Sequence, residues 1–357
     1  MSRTIGYVVS CLLLWLLVGC SPQHKIRVLW PAPPEQPRLE WLGLFSTRAD
    51  FNLGGKKKAF TSFLTGDEEL VFGAPGGVAA DARNRVFVSD LQERTVHVLD
   101  FDNQSISRLK NFQFGRPVGL AVGGDGRVYV ADAEKRAIVV FSPQLNPVLT
   151  MGDASNLERP AYVAVNDRLG RIYVSDGKNH KIVVFDLAGK HLFSFGGLGN
   201  APGALHAPQG LAFDSKGRLY VADMMNARVQ VFNDAGGFLF GFGERGDLQW
   251  QFENPKGLAF DHEDHLYVTD ARKGAMFICD VEGNVLLITG AGKRTHHPLG
   301  YSVPNAVAVS PDDRIYITDL LNRRVTVWQY LNADYLSRHP VTEAEAEELL
   351  RLQEQKP

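Results

Sequence analysis

A five-residue phrase ending in aspartate recurs six times along this chain, and no other feature limits its possible folds as strongly. Each copy joins four mostly apolar, β-branched or aromatic residues to an Asp, and the copies are Val86–Asp90, Val128–Asp132, Ile172–Asp176, Leu219–Asp223, Leu266–Asp270 and Ile315–Asp319. Successive Asp residues are 42, 44, 47, 47 and 49 positions apart. A repeat of this length indicates an array of similar supersecondary units.

Most units contain four short apolar segments separated by polar or glycine turns. A Pro precedes the first segment, the phrase above is the second, and Lys181–Phe185 and His191–Phe195 illustrate the third and fourth. Four such segments predict a four-stranded antiparallel sheet, and the period is typical of one propeller blade. The continuous apolar run Leu219–Ala222 indicates a strand covered on both faces. The sequence therefore predicts an all-β, six-bladed β-propeller of four-stranded antiparallel blades.

The last unit supplies only three strands, Ala306–Val309, Arg314–Thr318 and Val325–Trp328, before the pattern stops. An unpaired edge there would be an aggregation liability. Leu39–Phe45 has the composition of a fourth strand and precedes the first full unit. We therefore expect an N-terminal closing strand, residues 39–46, to complete the last blade of a propeller that spans residues 39–331.

The N-terminus has the features of an export signal. Arg3 precedes the mostly apolar run Ile5–Val18, which is shorter than the roughly 20 residues needed to span a bilayer. The run leads into Leu17–Cys20, which resembles the bacterial lipobox. That resemblance implies cleavage before Cys20 and acylation of this residue, and two or more acyl chains would hold the protein stably on a membrane. An ordinary signal peptide that happens to contain a Cys is the alternative.

These observations predict four segments: a signal peptide (1–19), a lipidated tether (20–38), the propeller (39–331) and a C-terminal tail with a short helix (332–357). In the tail, Thr342 and Glu345 have the spacing of a capping box. By resemblance to other lipoproteins, Ser21 after the Cys favours the outer membrane. The expected localisation is the bacterial cell envelope, with a lipid anchor.

The units resemble NHL repeats. The resemblance rests on Gly196–Gly199 leading to Pro208–Ala212, on Phe242–Gly246 leading to Pro255–Ala259, and on the Asn-x-Arg step at Asn226–Arg228. It covers roughly residues 70–330 and implies a propeller fold, but it does not imply one function, because propellers host enzymes, binding modules and scaffolds alike.

The residues that would carry catalysis in related propellers are not matched here. The resemblance to a peptidyl-hydroxyglycine amidating lyase would place zinc-binding His residues directly after the repeat Pro, but these positions hold Gly76, Val118, Ala161, Gln209, Lys256 and Asn305. The Glu-Gly-Pro phrase of lactonase-type propellers is absent from the sequence. We predict no cofactor, no metal site and no catalytic residue, although the question of enzymatic activity stays open.

Other polar residues have structural explanations. The repeated Asp is expected to accept backbone N–H groups in the following loop and to pair with Arg228 or Arg324. His262 and His265 lie in a turn between strands, where solvation is favoured over metal ligation. Cys279 stands where other repeats have an aromatic or aliphatic residue, so a buried and inert thiol is expected.

Charge gives the remaining indication of function. The net charge of −2 carries no signal for nucleic acid. Basic residues nevertheless concentrate in the loops predicted to share one face, whereas acidic residues concentrate in the opposite turns; the alternative is that the cations cancel locally against the repeated Asp. The partner-binding residues predicted on the basic face are Arg116, Arg136, Lys178, Gln209, Lys256, Arg272, Lys273, Asn305 and Arg323.

The sequence therefore favours a membrane-anchored, non-catalytic binding scaffold, either monomeric or part of an envelope complex. Its expected partner is an acidic envelope protein, a glycan or a lipid headgroup. One alternative is a lyase or lactonase-like hydrolase at the mouth of the central channel. Another is an accessory subunit of an envelope redox complex, which could only assist a cytochrome because the chain has no Cys-x-x-Cys-His haem motif.

Overall fold

The computed structural model describes residues 27–32, 35–48, 50, 70–248, 250–290, 300–342, 345 and 347. The chain divides into two compact units, one formed by Met1–Glu40 with Leu331–Pro357 and the other by Trp41–Tyr330. The larger unit is the predicted six-bladed propeller. The predicted signal peptide and Cys20 lie outside the described residues.

Five blades are four-stranded antiparallel sheets built from consecutive strands. In chain order, the strands are β3 (Pro75–Ala80), β4 (Arg85–Asp90), β5 (Thr95–Asp100), β6 (Ser105–Arg108), β7 (Pro117–Val122), β8 (Val128–Asp132), β9 (Ala137–Phe141), β10 (Pro147–Met151), β11 (Pro160–Asn166), β12 (Arg171–Asp176), β13 (Lys181–Asp186), β14 (His191–Gly196), β15 (Pro208–Phe213), β16 (Leu219–Asp223), β17 (Arg228–Phe232), β18 (Phe238–Phe242), β19 (Pro255–Phe260), β20 (Leu266–Asp270), β21 (Ala275–Cys279) and β22 (Val285–Thr289). A short 3-10 helix, Met224–Asn226, follows β16.

The sixth blade confirms the predicted ring closure. It contains β23 (Pro304–Val309), β24 (Arg314–Asp319) and β25 (Arg324–Tyr330), and β2 (Leu39–Phe45) lies next to β25. One strand was not foreseen: β1 (Val28–Trp30) adds a fifth strand outside β2, within the segment expected to be an extended tether.

The smaller unit brings together the two ends of the described chain. Helix α1 (Ala333–Arg338) is capped by the Asn332 side chain, which accepts from the Tyr335 N–H at 2.7 Å. The Tyr335 hydroxyl donates to Glu40, and Glu40 also pairs with Arg27 at 2.6 Å. Thr342 and Glu345 form the expected capping contacts, with Glu345 N donating to Thr342 Oγ1 at 3.3 Å.

The core lies between blades, because inner and central strands pack against both neighbours. Every residue of β8, β16 and β20 is buried, which explains the continuous apolar runs in the sequence. The inner strands approach so closely that a Cβ at Gly210 would lie 2.2 Å from the Lys256 backbone oxygen. Glycine at this position therefore allows neighbouring blades to pack around the axis.

Candidate functional site

The repeated Asp residues anchor the loops on one face of the propeller, as predicted from the sequence. Asp132 is fully buried and accepts from the N–H groups of Gly115 and Arg116 at 2.8 Å, and from those of Glu134 and Lys135 at 3.2 and 3.1 Å. The first two donors belong to the loop that joins two blades, and the last two to the turn between the second and third strands. We call the face that carries these loops and turns the loop face.

Asp90 shows how strongly this arrangement favours the ionised carboxylate. Burial alone would raise its pKa, but nearby His97, whose Nε2 lies 3.6 Å from Oδ2, and hydrogen bonds from the N–H groups of Glu93, Gly73 and Ala74 lower the pKa to about 2. Asp223 and Asp319 also pair with Arg228 at 2.8 Å and Arg324 at 3.8 Å. These carboxylates are fully used in holding loops, which favours a structural role.

The residues after each repeat Pro begin the inner strands at the loop-face end of the central channel, here called the channel mouth. They are Gly76, Val118 and Ala161 in blades 1 to 3, and Gln209, Lys256 and Asn305 in blades 4 to 6. The polar residues of this set of six thus lie in three consecutive blades. The other three blades have an apolar residue or glycine at the same position. The structure brings together three of the predicted partner-binding residues.

Lys256 is the charged member of this set of six residues. Its Nζ donates to Asn305 Oδ1 at 2.9 Å. No carboxylate of the described residues lies within 4.0 Å of the ammonium, and burial lowers the pKa of Lys256 below its ordinary value of 10.5. Because an ammonium has three N–H donors and only one has an acceptor among the described residues, two donors are available to a ligand.

Asn305 is fixed from both sides. Its Nδ2 donates to the Gly76 backbone oxygen at 3.1 Å, across the junction between blades 6 and 1. Its own backbone oxygen accepts from the Tyr162 hydroxyl at 2.8 Å and from Thr269 Oγ1 at 3.4 Å. The side chain that contacts Lys256 is therefore held in one orientation.

Tyr162 is a channel residue that was not predicted from the sequence. It stands two positions after its repeat Pro, where the other five blades have Gly77, Gly119, Gly210, Gly257 and Ala306. Its side chain packs against the cores on both sides of the ring, and burial raises its pKa. The sequence does contain a signal for this residue. One large side chain stands at a repeat position where the other five blades have small residues, and it needs a space that it can fill.

Gln209 lies beside this group, on the inner strand before that of Lys256. Its Nε2 donates to its neighbouring Pro208 backbone oxygen at 3.2 Å. A Cβ at Gly177 would lie 3.3 Å from the same nitrogen, so the amide is close to the turn of blade 3.

The other predicted residues lie further out on the loop face, and the structure separates them into two groups. Lys178 and Arg136 contact Glu158 at 2.6 and 3.9 Å, and Arg272 contacts Glu253 at 2.9 Å. Lys273 Nζ donates to the Leu248 backbone oxygen at 2.5 Å.

Arg116 and Arg323 are exposed and have no carboxylate within 4.0 Å among the described residues. Much of the basic face is therefore neutralised locally, mostly by Glu residues of neighbouring loops. The acidic turns of the opposite face are also partly neutralised, for example by the 2.5 Å contact between Asp214 and Arg218.

His262 and His265 lie on the opposite face, in the turn between β19 and β20. His265 Nδ1 lies 2.9 Å from Asp261 Oδ2, which also accepts from the Tyr267 hydroxyl. His262 contacts Asp313 of blade 6 through Nδ1, and this contact raises the pKa of His262. In the described part of the chain, no group of three or more His, Cys, Asp or Glu residues is arranged to hold a metal ion.

Comparison with known proteins supports the fold. The NHL repeat family model matches residues 114–141, 157–185 and 205–232. A catalytically inactive virginiamycin B lyase from Staphylococcus aureus with quinupristin aligns with a TM-score of 0.55 at 14% identity, over 73% of this chain and 82% of that chain. A gluconolactonase from Xanthomonas campestris aligns with a TM-score of 0.58 at 18% identity, over 72% and 86%.

A Bacteroides thetaiotaomicron protein of unknown function aligns with a TM-score of 0.59 at 20% identity, over 72% of this chain and 70% of that chain. No curated protein matches the sequence. The described residues contain no helix with the length and hydropathy needed to cross a membrane. At these identities the likeness establishes the propeller fold alone, so function has to be argued from the residues of the site.

Proposed function

Because the chain is a six-bladed propeller that contains NHL repeats, we propose that it is a non-catalytic binding module that recognises an acidic partner through its loop face. The observation that carries the proposal is the Lys256 ammonium, which is partly buried, has no carboxylate partner among the described residues and keeps two N–H donors without a protein acceptor there. A partly buried cation without a counter-ion is unfavourable, and an incoming anion would offset that cost. Exposed Arg116 and Arg323 add positive charge to the same face.

The proposal includes attachment to a bacterial envelope membrane, most simply the outer membrane, through lipid on Cys20. The support is the sequence before residue 27: a positive start, an apolar run and a Cys in the lipobox position. Metabolic labelling with radioactive palmitate tests this step, with Cys20→Ala as the comparison. Label that persists in C20A would refute the anchor, whereas label lost only in that variant would support it.

Capture of poly-L-glutamate by the purified full-length chain tests the recognition step. Lys256→Met removes the charge but keeps the length of the side chain, and we expect at least tenfold weaker binding, which corresponds to about 1.4 kcal/mol. Lys190→Met removes the same charge from an exposed turn of the opposite face and should leave binding unchanged. Equal loss in both variants, or no capture by the unmodified chain, would contradict the proposal.

A second candidate is an enzyme acting at the channel mouth, as a lyase or a lactonase-like hydrolase. The lowered pKa of Lys256 favours this candidate, because a lysine that is deprotonated more easily can act as a general base. Hydrolysis of a simple lactone such as δ-valerolactone, present in the unmodified chain and lost in K256M, would support it. Metal analysis of the purified protein is the companion measurement, since stoichiometric zinc or calcium would favour the enzyme.

A further inference from the structure

We infer that the channel mouth is a shallow pocket for one carboxylate group, and that its ligand carries this carboxylate directly beside a short apolar group. This inference deepens the proposed function and rests on it, because it names the chemistry that Lys256 recognises. It follows from three features of the described residues at the mouth: the Lys256 cation, a floor made by Tyr162, and neighbouring inner-strand residues that carry no second charge.

The cation is positioned before any ligand arrives. Asn305 bonds the Gly76 backbone oxygen through Nδ2, and its Oδ1 accepts from Lys256 Nζ, so the ammonium is held on one side of the mouth. The two remaining N–H groups suit the two oxygens of a carboxylate. The contact between Lys256 and Asn305 is therefore already formed in the free protein, which reduces the cost of binding.

Tyr162 limits the depth of the pocket. It lies two residues after the repeat Pro and Lys256 lies one residue after, so the phenol is about one residue deeper along the inner strands, or roughly 3.3 Å. Its hydroxyl reaches Asn305 in the opposite blade. A ligand that enters from the loop face therefore meets the aromatic ring just below the ammonium, and only the end of a chain fits.

The described residues around Lys256 favour a ligand that carries one charge beside an apolar group. Besides Gln209 and Asn305, the ring contains Gly76, Val118 and Ala161. The residues that follow the repeated Asp in the six blades contribute no charge either, and they are Leu91, Ala133, Gly177, Met224, Ala271 and Leu320. Phosphate carries more charge and is usually met by several cations or by Arg, so one Lys among the uncharged residues of the described inner strands favours a carboxylate.

This chemistry is found in a free branched-chain acid and in the C-terminus of a peptide ending in an aliphatic residue. The full-length chain is therefore titrated with 3-methylbutanoate, with a peptide ending in Leu as the free acid, with the same peptide as the amide, and with inorganic phosphate. We expect a free acid to bind and the amide and phosphate to bind at least tenfold more weakly. The tighter of the two acids identifies the source of the carboxylate.

Two further readouts separate recognition from folding. Nitrogen-15 NMR of Lys256 Nζ should show that its pKa rises when the acid is bound, because the carboxylate stabilises the ammonium. Lys256→Met should lose at least tenfold in affinity for the acid, whereas Lys190→Met should not. If K256M fails to fold, the NMR titration of the unmodified chain decides the question.

The outcomes distinguish this inference from the broader proposal. Capture of poly-L-glutamate together with failure to bind either acid would overturn the pocket and leave the binding module standing. Phosphate binding as tight as that of the acids would overturn the carboxylate assignment. If neither poly-L-glutamate nor the acids bind, both the inference and the proposed function are wrong.

Discussion

The Tyr162 hydroxyl in the third blade donates a 2.8 Å hydrogen bond to the Asn305 backbone oxygen in the sixth, so one side chain joins opposite sides of the ring. The same Asn305 binds the Gly76 backbone and orients Lys256. The centre of the propeller is therefore both a structural tie and the wall of the candidate site.

Truncation of the Tyr162 side chain should destabilise the whole propeller. We expect Tyr162→Phe to lower the free energy of unfolding by about 1 kcal/mol through loss of one hydrogen bond. Tyr162→Ala should cost about 3–5 kcal/mol, because it also leaves a cavity between two cores. Urea titration of both variants measures the difference, with exposed Phe238→Ala as the control. If the three variants are equally stable, Tyr162 does not brace the axis.

Deletion of residues 39–46 should remove the strand that closes the ring. β25 would then lose its neighbour and present an unpaired edge. We expect a large drop in melting temperature and aggregation on heating, followed by circular dichroism and light scattering. Melting that is unaltered by the deletion would show that the ring does not depend on this strand.

Acid should weaken the stabilisation that the repeated Asp residues give to the loops. The pKa of Asp90 is lowered to about 2 in the folded protein, against an ordinary value of 3.8, so its ionised form stabilises the fold. This contribution is complete above the ordinary value and is lost as the pH falls toward 2. Asp90→Asn should therefore melt below the unmodified protein at pH 5, and the gap should shrink by pH 2. A gap independent of pH would rule out this linkage.

Alkali should weaken the link between blades 5 and 6 on the opposite face. Asp313 raises the pKa of His262, with Glu263 and Asp261 contributing in the same direction. The charged imidazole therefore stabilises the fold fully below its ordinary pKa of about 6.5, and this stabilisation is lost as the pH rises through the higher folded pKa. His262→Asn should lower the melting temperature at pH 6 and have a smaller effect at pH 9. A larger effect at pH 9 would contradict the sign.

Cys279 should be unreactive until the propeller unfolds. It is fully buried, and burial raises its pKa to about 12. Almost no thiolate then exists at pH 8, and iodoacetamide should label this thiol only in denaturant. Mass spectrometry of the peptide that contains Cys279 measures the labelling, with C279A as the blank. Rapid labelling of the native protein would show that the strand opens.

The repeat pattern was sufficient to predict most of the fold. Period, strand composition and the Asp positions predicted the blades, because each blade is a local unit with its own turns. The missing strand of the last unit predicted closure, since an open edge is unfavourable. β1 could not be predicted in the same way, because three residues carry too little pattern to indicate a strand without the edge beside them.

The site was predictable only in part. Gln209, Lys256 and Asn305 were found because a fixed offset from the repeat Pro places them at the channel. The neutralisation of Lys178 by Glu158 was not visible, because the partners lie 20 residues apart on different loops. Tyr162 reaches a residue 143 positions away, and such a contact exists only after the ring has closed.

The sixth blade also determines when the domain can be complete during synthesis. β2 is among the first strands made and β25 is the last, so the two partners are separated by the other five blades. Each of those blades pairs strands that emerge one after another, but the final join has to wait for Tyr330. Until then β25 has no β2 partner that could close the ring, so closure joins the beginning of the described propeller to its end.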